Sequence, residues 1–292
     1  MSDFVQRFHF SDSPVRGELV QLDESVEEVL DRHAYPERVA QLLSEALAAS
    51  VLLTSTLKFQ GSLILQARGN GPLETLMVEC NHRRELRGIA QVGEGWSEEA
   101  AEMSLAQLFG NEGQLAITID PENGQRYQGI VPLDGTTLAQ CLEHYFMQSE
   151  QLPTRLWLAA GGENAAGLLL QVLPGHDRGE DRDIWPRLCQ LTDTVTPGEL
   201  LELPSSQLLY RLYHEETVQL HESESVRFHC NCSRERTEQV LLSLGEEELR
   251  TIVAEQGGIE VACQFCNQEY RFDPIDVEQL LRGGSGVPHQ LH

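Results

Sequence analysis

Four cysteines near the C-terminal end can together do chemistry that none could do alone. They fall as Cys230-Asn231-Cys232, a gap of thirty residues, then Cys263-Gln264-Phe265-Cys266. Two close pairs separated by a helical insertion let four sulfurs converge tetrahedrally, and thiolates are the soft ligands that zinc prefers. Four of them close the coordination sphere around one ion. No position is left for an activated water, so hydrolytic zinc catalysis is not expected. A unit of roughly 60 residues has too little core to be secure alone, so the metal should hold it together. Apparent zinc binding of about 10–16 kcal/mol would then be folding energy. Most such sites are purely structural. Two features here point further: the first pair is C-x-C rather than C-x-x-C, and four thiolates around a dication leave a local charge of about −2, open to peroxide. Arg234, Arg236 and Arg271 are close enough in sequence to offset that charge, although a solvated surface is the commoner place for arginine. Oxidation of the thiolates to disulfides would remove the ligands and the folding energy together.

The remaining reactive side chains read blandly. Cys80 sits in a strand pattern and Cys141 and Cys189 in helical ones, where buried thiols are the default. His229 adjoins Cys230 but is a bystander if four sulfurs already close the site. His144 has no evident Ser or Cys partner, so a nucleophilic triad has no support. Lys58 is the only lysine and is followed by Phe59, so a phosphate-cradling G-x-x-x-x-G-K-[ST] loop is absent.

The elements that must position these groups divide into three. Residues 1–175 read as an α+β domain of mixed sheet and helix. Strands are expected at Val15–Leu22, Ser62–Ala67, Leu76–Glu79 and Leu86–Val92, with Gly69 and Gly71 in a turn. Hairpins follow at Gln114–Ile119 with Arg126–Val131, and at Thr154–Ala159 with Gly167–Leu173. Helices are expected at Glu24–His33, from Pro36 through Leu57, at Glu98–Phe109 and at Thr136–Ser149. Hairpins mixed with helices, without steady strand–helix alternation, argue for α+β. A polar, glycine-bearing break at 174–183 opens a linker over residues 176–226, with short helices over Ile184–Val195 and Glu199–Tyr213 interrupted at Pro186, Pro197 and Pro204. Such helices are marginal alone and must pack on something. The reading is either an ordinary docked connector or a metastable segment meant to come loose. Residues 227–292 form the small cysteine-bearing unit. Ser243 and Glu246 fit a capping box for a helix through Ala254, Asp273 and Pro274 start a last helix through Leu281, and 282–292 reads as a frayed tail.

Composition narrows the partners. The 292 residues carry a formal net charge of −25, with 40% hydrophobic residues. That is enough for a core, and it argues against a phosphate-backbone binder or attraction to an anionic membrane. No leader pattern opens the chain, and the longest apolar run, Ala46–Leu57, is too short to span a bilayer. The expectation is a cytoplasmic, reducing location, where seven cysteines mean metal or redox chemistry rather than structural disulfides.

These residues resemble, over nearly the whole chain, the bacterial redox-regulated heat shock protein 33 family. The resemblance rests on both cysteine pairs, with Cys230-Asn231-Cys232-Ser233-Arg234-Glu235-Arg236 the most telling. Val15-Arg16-Gly17-Glu18-Leu19, Leu86-Arg87-Gly88, Arg126-Tyr127-Gln128-Gly129, Tyr145 through Arg155 and Leu212-Tyr213-His214-Glu215-Glu216 reinforce it. It implies a non-enzymatic, ATP-independent holdase, inactive when reduced and loaded with one zinc ion held by Cys230, Cys232, Cys263 and Cys266. It further implies redox disulfides Cys230–Cys232 and Cys263–Cys266 with zinc release, and a linker that unfolds to expose surface for unfolded client proteins. A homodimer on activation and transfer of clients to ATP-dependent foldases belong to the same implication. A C-x-C disulfide closes a very tight ring, so the Cys263–Cys266 bond is expected first. The competing readings are a structural zinc-ribbon module for protein or nucleic acid, and a thiol–disulfide oxidoreductase using Cys263 and Cys266.

Overall fold

The computed structural model describes residues 3–11, 13–174 and 183–284. Most of the 174–183 break and of the C-terminal tail therefore lies outside the described residues. The chain separates into two compact units, Met1–His229 and Cys230–His292.

The first unit is organised by one helix. After β1 (Phe4–Phe10), β2 (Val15–Leu22) and α1 (Glu24–Leu30), α2 runs from Glu37 to Thr56 behind the rigid Pro36. Its Leu, Val and Ala positions are apolar almost all round, and the long run from Ala46 to Leu53 is buried throughout. By length and mean hydropathy, 1.3 over its best window, it could cross a membrane, but 83% of that window is buried in this fold. The hydroxyls that break the apolar run stay satisfied by bonding back along the helix. Ser44 Oγ donates to the Ala40 carbonyl at 2.8 Å, Ser50 to Leu47 at 2.7 Å and Thr54 to Ser50 at 2.7 Å.

Two antiparallel layers take up this helix. β3 (Gly61–Arg68), β4 (Leu73–Asn81), β5 (Glu85–Val92), β6 (Gln114–Pro121) and β7 (Tyr127–Pro132) form one sheet, which β11 (Arg227–Phe228) joins in parallel beside β5. The other has the order β10-β1-β2-β9-β8, with β8 (Thr154–Gly161), β9 (Asn164–Val172) and β10 (Val218–Ser225). α2 packs on strands of both sheets. On β2, Val20 and Leu22 face the α2 core while Val15 and Leu19 face a second core on the opposite side. Both faces are covered, so this strand lacks the apolar–polar alternation of a half-exposed one.

The covering layer on that second face is α5 (Ile184–Thr192), α6 (Pro197–Glu202) and α7 (Ser205–Tyr213). Leu188, Leu200, Leu208, Leu212 and Tyr213 from these helices bury Phe8, Phe10, Leu168 and Leu170 of the sheet. Gln21 Nε2 ties the layer down by donating to the carbonyls of Leu200 and Leu203, each at 2.9 Å. Pro186 lies in the first turn of α5, Pro197 opens α6 and Pro204 precedes α7, so none breaks a helix interior. β10 extends the sheet beyond β1, and nearly all of it is exposed.

Several expectations shift. The stretch expected as one helix over Glu98–Phe109 splits into a 3-10 turn at Glu98–Glu102 and α3 (Leu105–Phe109), because Ser104 and Gln107 form a complete capping box there. The helix expected over Thr136–Ser149 is α4 (Leu138–Tyr145) followed by a π-helical turn, Phe146–Glu150, that ends at left-handed Gln151. In the second unit Ser243 is no cap. It lies inside α8 (Arg234–Leu244), its hydroxyl donating to the Val240 carbonyl, and Gly245 at φ 93° separates α8 from α9 (Glu246–Gln256). β12 (Ile259–Ala262) and β13 (Glu269–Phe272) form a hairpin, and α10 (Pro274–Gly284) starts where Asp273 accepts from the Asp276 amide at 2.7 Å.

A cavity of ≈ 230 Å³ lies between β8, α2 and the start of α6, and Glu45 of α2 lines it. Burial, opposed only by Arg38 on the same helix, pushes the Glu45 carboxyl up to about 7. The raised value means that the protonated form favours the fold. The stability it contributes is complete below about pH 4.5 and lost as pH rises through about 7. Glu45→Gln is therefore expected to gain up to about 3 kcal/mol at pH 8 and almost nothing near pH 4. Urea unfolding at the two pH values measures it.

Candidate metal centre

The four sulfurs come from two backbone segments of the second unit. Cys230 and Cys232 lie in the extended stretch before α8, where Ser233 caps the helix through the Arg236 amide at 3.3 Å. Cys263 and Cys266 lie in the turn of the β12–β13 hairpin. That turn is held by the Asn267 amide donating to the Cys263 carbonyl at 2.8 Å and the Cys263 amide donating to Gln268 at 2.9 Å. Asn267 takes the left-handed conformation, φ 57°, which the chain needs to turn back and which Asn tolerates well.

These segments bring all four sulfurs within 4.8 Å of one another, the one cluster of His, Cys, Asp and Glu ligands of that kind among the described residues. Cys230 and Cys263 are 3.7 Å apart, and Cys232 and Cys266 3.4 Å. A tetrahedral metal with sulfurs at about 2.3 Å would separate them by about 3.8 Å, so the donor set and its spacing fit such an ion. Burial, and after it hydrogen bonding with the neighbouring sulfurs, pushes the Cys266 thiol far above its ordinary range; the Gln268 amide works the other way. A divalent cation at the centre would reverse that balance, since coordination deprotonates a thiol outright.

The sequence pattern does not show one partner of the cluster, Tyr270, while Arg234, expected near it, is held by other groups. The Tyr270 hydroxyl donates to Cys232 Sγ at 3.2 Å, and that bond, ahead of desolvation, pushes the phenol up to about 12. Arg234 stacks 4.2 Å over the Phe272 ring, pairs with Asp276 at 2.9 Å and donates to the Arg271 carbonyl at 2.8 Å. Arg271 pairs with Glu260 and Glu269. Two of the three arginines near the cysteines are thus engaged by carboxylates. A strand tyrosine four residues past the last cysteine was the available signal for Tyr270, but only the hairpin register aims it.

The other candidates stay apart. His229 is not in the cluster, and its amide continues the β5–β11 pairing by donating to Leu86 at 2.9 Å. His144 meets Gln148 on its own helical segment. Cys80, Cys141 and Cys189 are buried, and burial pushes each thiol up, Cys80 to about 12 and Cys189 to about 11. Such thiols are poor nucleophiles.

Comparison with known proteins places this architecture. The sequence profile of the Hsp33 protein family matches residues 3–273. The 33 kDa chaperonin of Ectopseudomonas mendocina is 53% identical over 295 residues, 99% of each chain. That of Pseudomonas aeruginosa PAO1 is 52% identical over 297 residues, covering 99% of this chain and 98% of its own. The crystal structure of the 33 kDa chaperonin from Thermotoga maritima superposes with a TM-score of 0.82 at 25% identity, covering 97% of this chain and 99% of that one. A two-unit α+β protein with a C-terminal four-cysteine cluster is thus the class that fold and site define. The chain belongs to the Hsp33 family, and its function is that of a chaperone.

Cobalt(II) added to the reduced protein is expected to give the intense visible bands of a tetrahedral thiolate site at one ion per chain. Cys266→Ser should weaken binding by more than roughly tenfold, since even indirect supports of metal ligands cost that much. Unchanged spectra and affinity in the variant would place the metal elsewhere.

Proposed function

We propose that this chaperone is an ATP-independent holdase whose activity is switched on by oxidation of Cys230, Cys232, Cys263 and Cys266. The observation that carries the reading is the contrast inside the second unit: four converging sulfurs in a fold whose fully buried core is Leu241, Leu249, Ile259, Phe272 and Val277. So small a core needs a staple. When bound, one zinc ion supplies the missing folding energy, and reduced thiolates are what hold it.

Peroxide is the oxidant. A thiolate attacks one peroxide oxygen, the S–O bond forms, the O–O bond breaks and hydroxide leaves as water after taking a proton. The second thiolate of the pair attacks that sulfur, forming S–S as the S–O bond breaks and hydroxide leaves, to become a second water on taking a proton from solvent acid. Pairing Cys263 with Cys266 and Cys230 with Cys232 consumes all four ligands. The second unit then loses its staple. β10 and β11 lead directly into Cys230, so disorder there reaches the described part of the linker, residues 183–226, through the chain itself. Loss of α5–α7 from the sheet would bare Phe8, Phe10, Leu168 and Leu170, apolar surface suited to unfolded clients. In this reading the activated form dimerises, works in the cytoplasm and hands clients to ATP-dependent foldases.

The reduced, zinc-loaded protein is expected to leave aggregation of a denatured test protein unchanged by light scattering. The form treated with peroxide at elevated temperature should suppress it, with loss of four thiols and one zinc per chain. Equal protection by the reduced form sinks the proposal. Leu208→Ala, removing a fully buried side chain of α7, should loosen the helical layer by about 2–5 kcal/mol. Suppression by that variant is expected at a lower activation temperature than in the wild type.

A further inference from the structure

The geometry points to Tyr270 as a positioning residue that holds the Cys232 sulfur back from oxidation and so makes the Cys230–Cys232 bond the slow half of the switch. The inference rests on the zinc–thiolate reading above and concerns how that site is tuned.

Tyr270 is the second residue of β13 and pairs with Val261 of β12. Its ring packs, half-buried, against the small core of Leu241, Leu249, Ile259, Phe272 and Val277. The ring is therefore anchored by packing, while the hydroxyl extends 3.2 Å from Cys232 Sγ. This bond also bridges the two ligand-bearing segments, since Tyr270 follows the Cys263–Cys266 turn and Cys232 precedes α8. It joins a sulfur of one pair to the hairpin carrying the other.

A phenol O–H pointed at a thiolate takes up the electron pair that would otherwise attack peroxide. Hydrogen bonding favours the charged form of the sulfur as an acceptor and ligand, yet lowers its reactivity as a nucleophile, because attack requires that lone pair to be freed. Outer partners of this kind orient a ligand and tune its basicity. At Cys232, S–O bond formation with peroxide must proceed while the Tyr270 bond is broken. The peroxide O–O bond breaks, the hydroxide released is neutralised by a proton from the buffer, and the Tyr270 proton stays on its oxygen. Condensation with Cys230 then forms S–S and expels the second hydroxide as water. Once the Cys263–Cys266 bond has distorted the hairpin, β13 no longer aims the hydroxyl and the restraint is lifted. The order of the two oxidations is in this way built into the register of one short hairpin.

Tyr270→Phe keeps the ring in the core and deletes only the donor. In the full-length zinc-loaded protein under a fixed excess of hydrogen peroxide, the variant is expected to modify Cys232 roughly tenfold faster than the wild type. Timed alkylation and peptide mapping follow each cysteine, and a colorimetric chelator follows zinc. Cadmium-113 NMR of the cadmium-loaded protein supplies a readout that a packing role would not move: loss of one hydrogen bond to a ligating sulfur should shift the metal resonance. Tyr270→Leu, which removes the ring as well, separates packing from donation, since a packing role predicts that Phe behaves as wild type and only Leu changes. Unaltered Cys232 kinetics and an unaltered cadmium resonance in Tyr270→Phe overturn the inference while leaving the switch intact. Failure of the wild type to bind or release zinc would instead overturn the reading on which it rests.

Discussion

Burial of α2 is the constraint on which the first unit depends. Leu43, Leu47, Val51 and Leu52 are all 0% exposed, and strands of both sheets pack on the helix that carries them. A helix apolar on nearly every side has little solvent face, so each sheet must offer it an apolar surface. The joint with β1 and β2 carries a polar cluster, in which Arg7 Nη2 donates to the Ser55 carbonyl at 2.9 Å and Arg16 Nη1 to the Thr56 carbonyl at 3.3 Å. Glu18 is fully buried and accepts from Arg7 Nε at 3.0 Å and from the Ser55 hydroxyl of α2 at 2.9 Å. Burial is the largest influence on that carboxyl and pushes it up, while Arg7 and Ser55 pull it back.

The second unit solves the same problem by other means. With five buried apolar side chains in its core among the described residues, it has little of the burial that holds α2 in place. Four sulfurs drawn from two segments converge there instead, and in the proposed reading a metal they hold would supply cross-linking that an oxidant can undo. That division is what the proposed switch would need: a deep core that persists and a shallow one whose staple is reactive. Between them in sequence lie α5–α7, amphipathic helices of six to nine residues that gain their stability from the sheet they cover. Too short to persist in water, they depend on remaining docked.

How much of this was legible in the chain varied with the range of the interaction. The hairpin Gln114–Pro121 with Tyr127–Pro132 and the strands around Gly69 and Gly71 follow from apolar patterning and turn residues within a few positions, and the structure has them where expected. β10 did not announce itself. Its sequence, VQLHESES, is polar and exposed, and it is a strand only because β1 presents an open edge. One helix boundary failed where a capping box was expected at Ser243 and Glu246. Ser243 matches the spacing of a cap, yet Ser233 caps α8 and Gly245 makes the break, because a glycine reaches φ 93° without the Cβ penalty that would hold another residue back.

The sequence by itself determined which side chains are candidates to hold a metal. Cysteine is a soft donor wherever it stands, and two close pairs at this spacing suit a metal, so Cys230, Cys232, Cys263 and Cys266 stand out as candidate ligands from the chain alone. Only the tertiary structure decided what surrounds them: that Arg234 and Arg271 are engaged by carboxylates, and that Tyr270 reaches Cys232. Ligand identity is a property of single side chains and of short spacings along the backbone. Second-sphere contacts depend on hairpin register and on which face of a helix meets it, and those are settled by packing among residues distant in the chain.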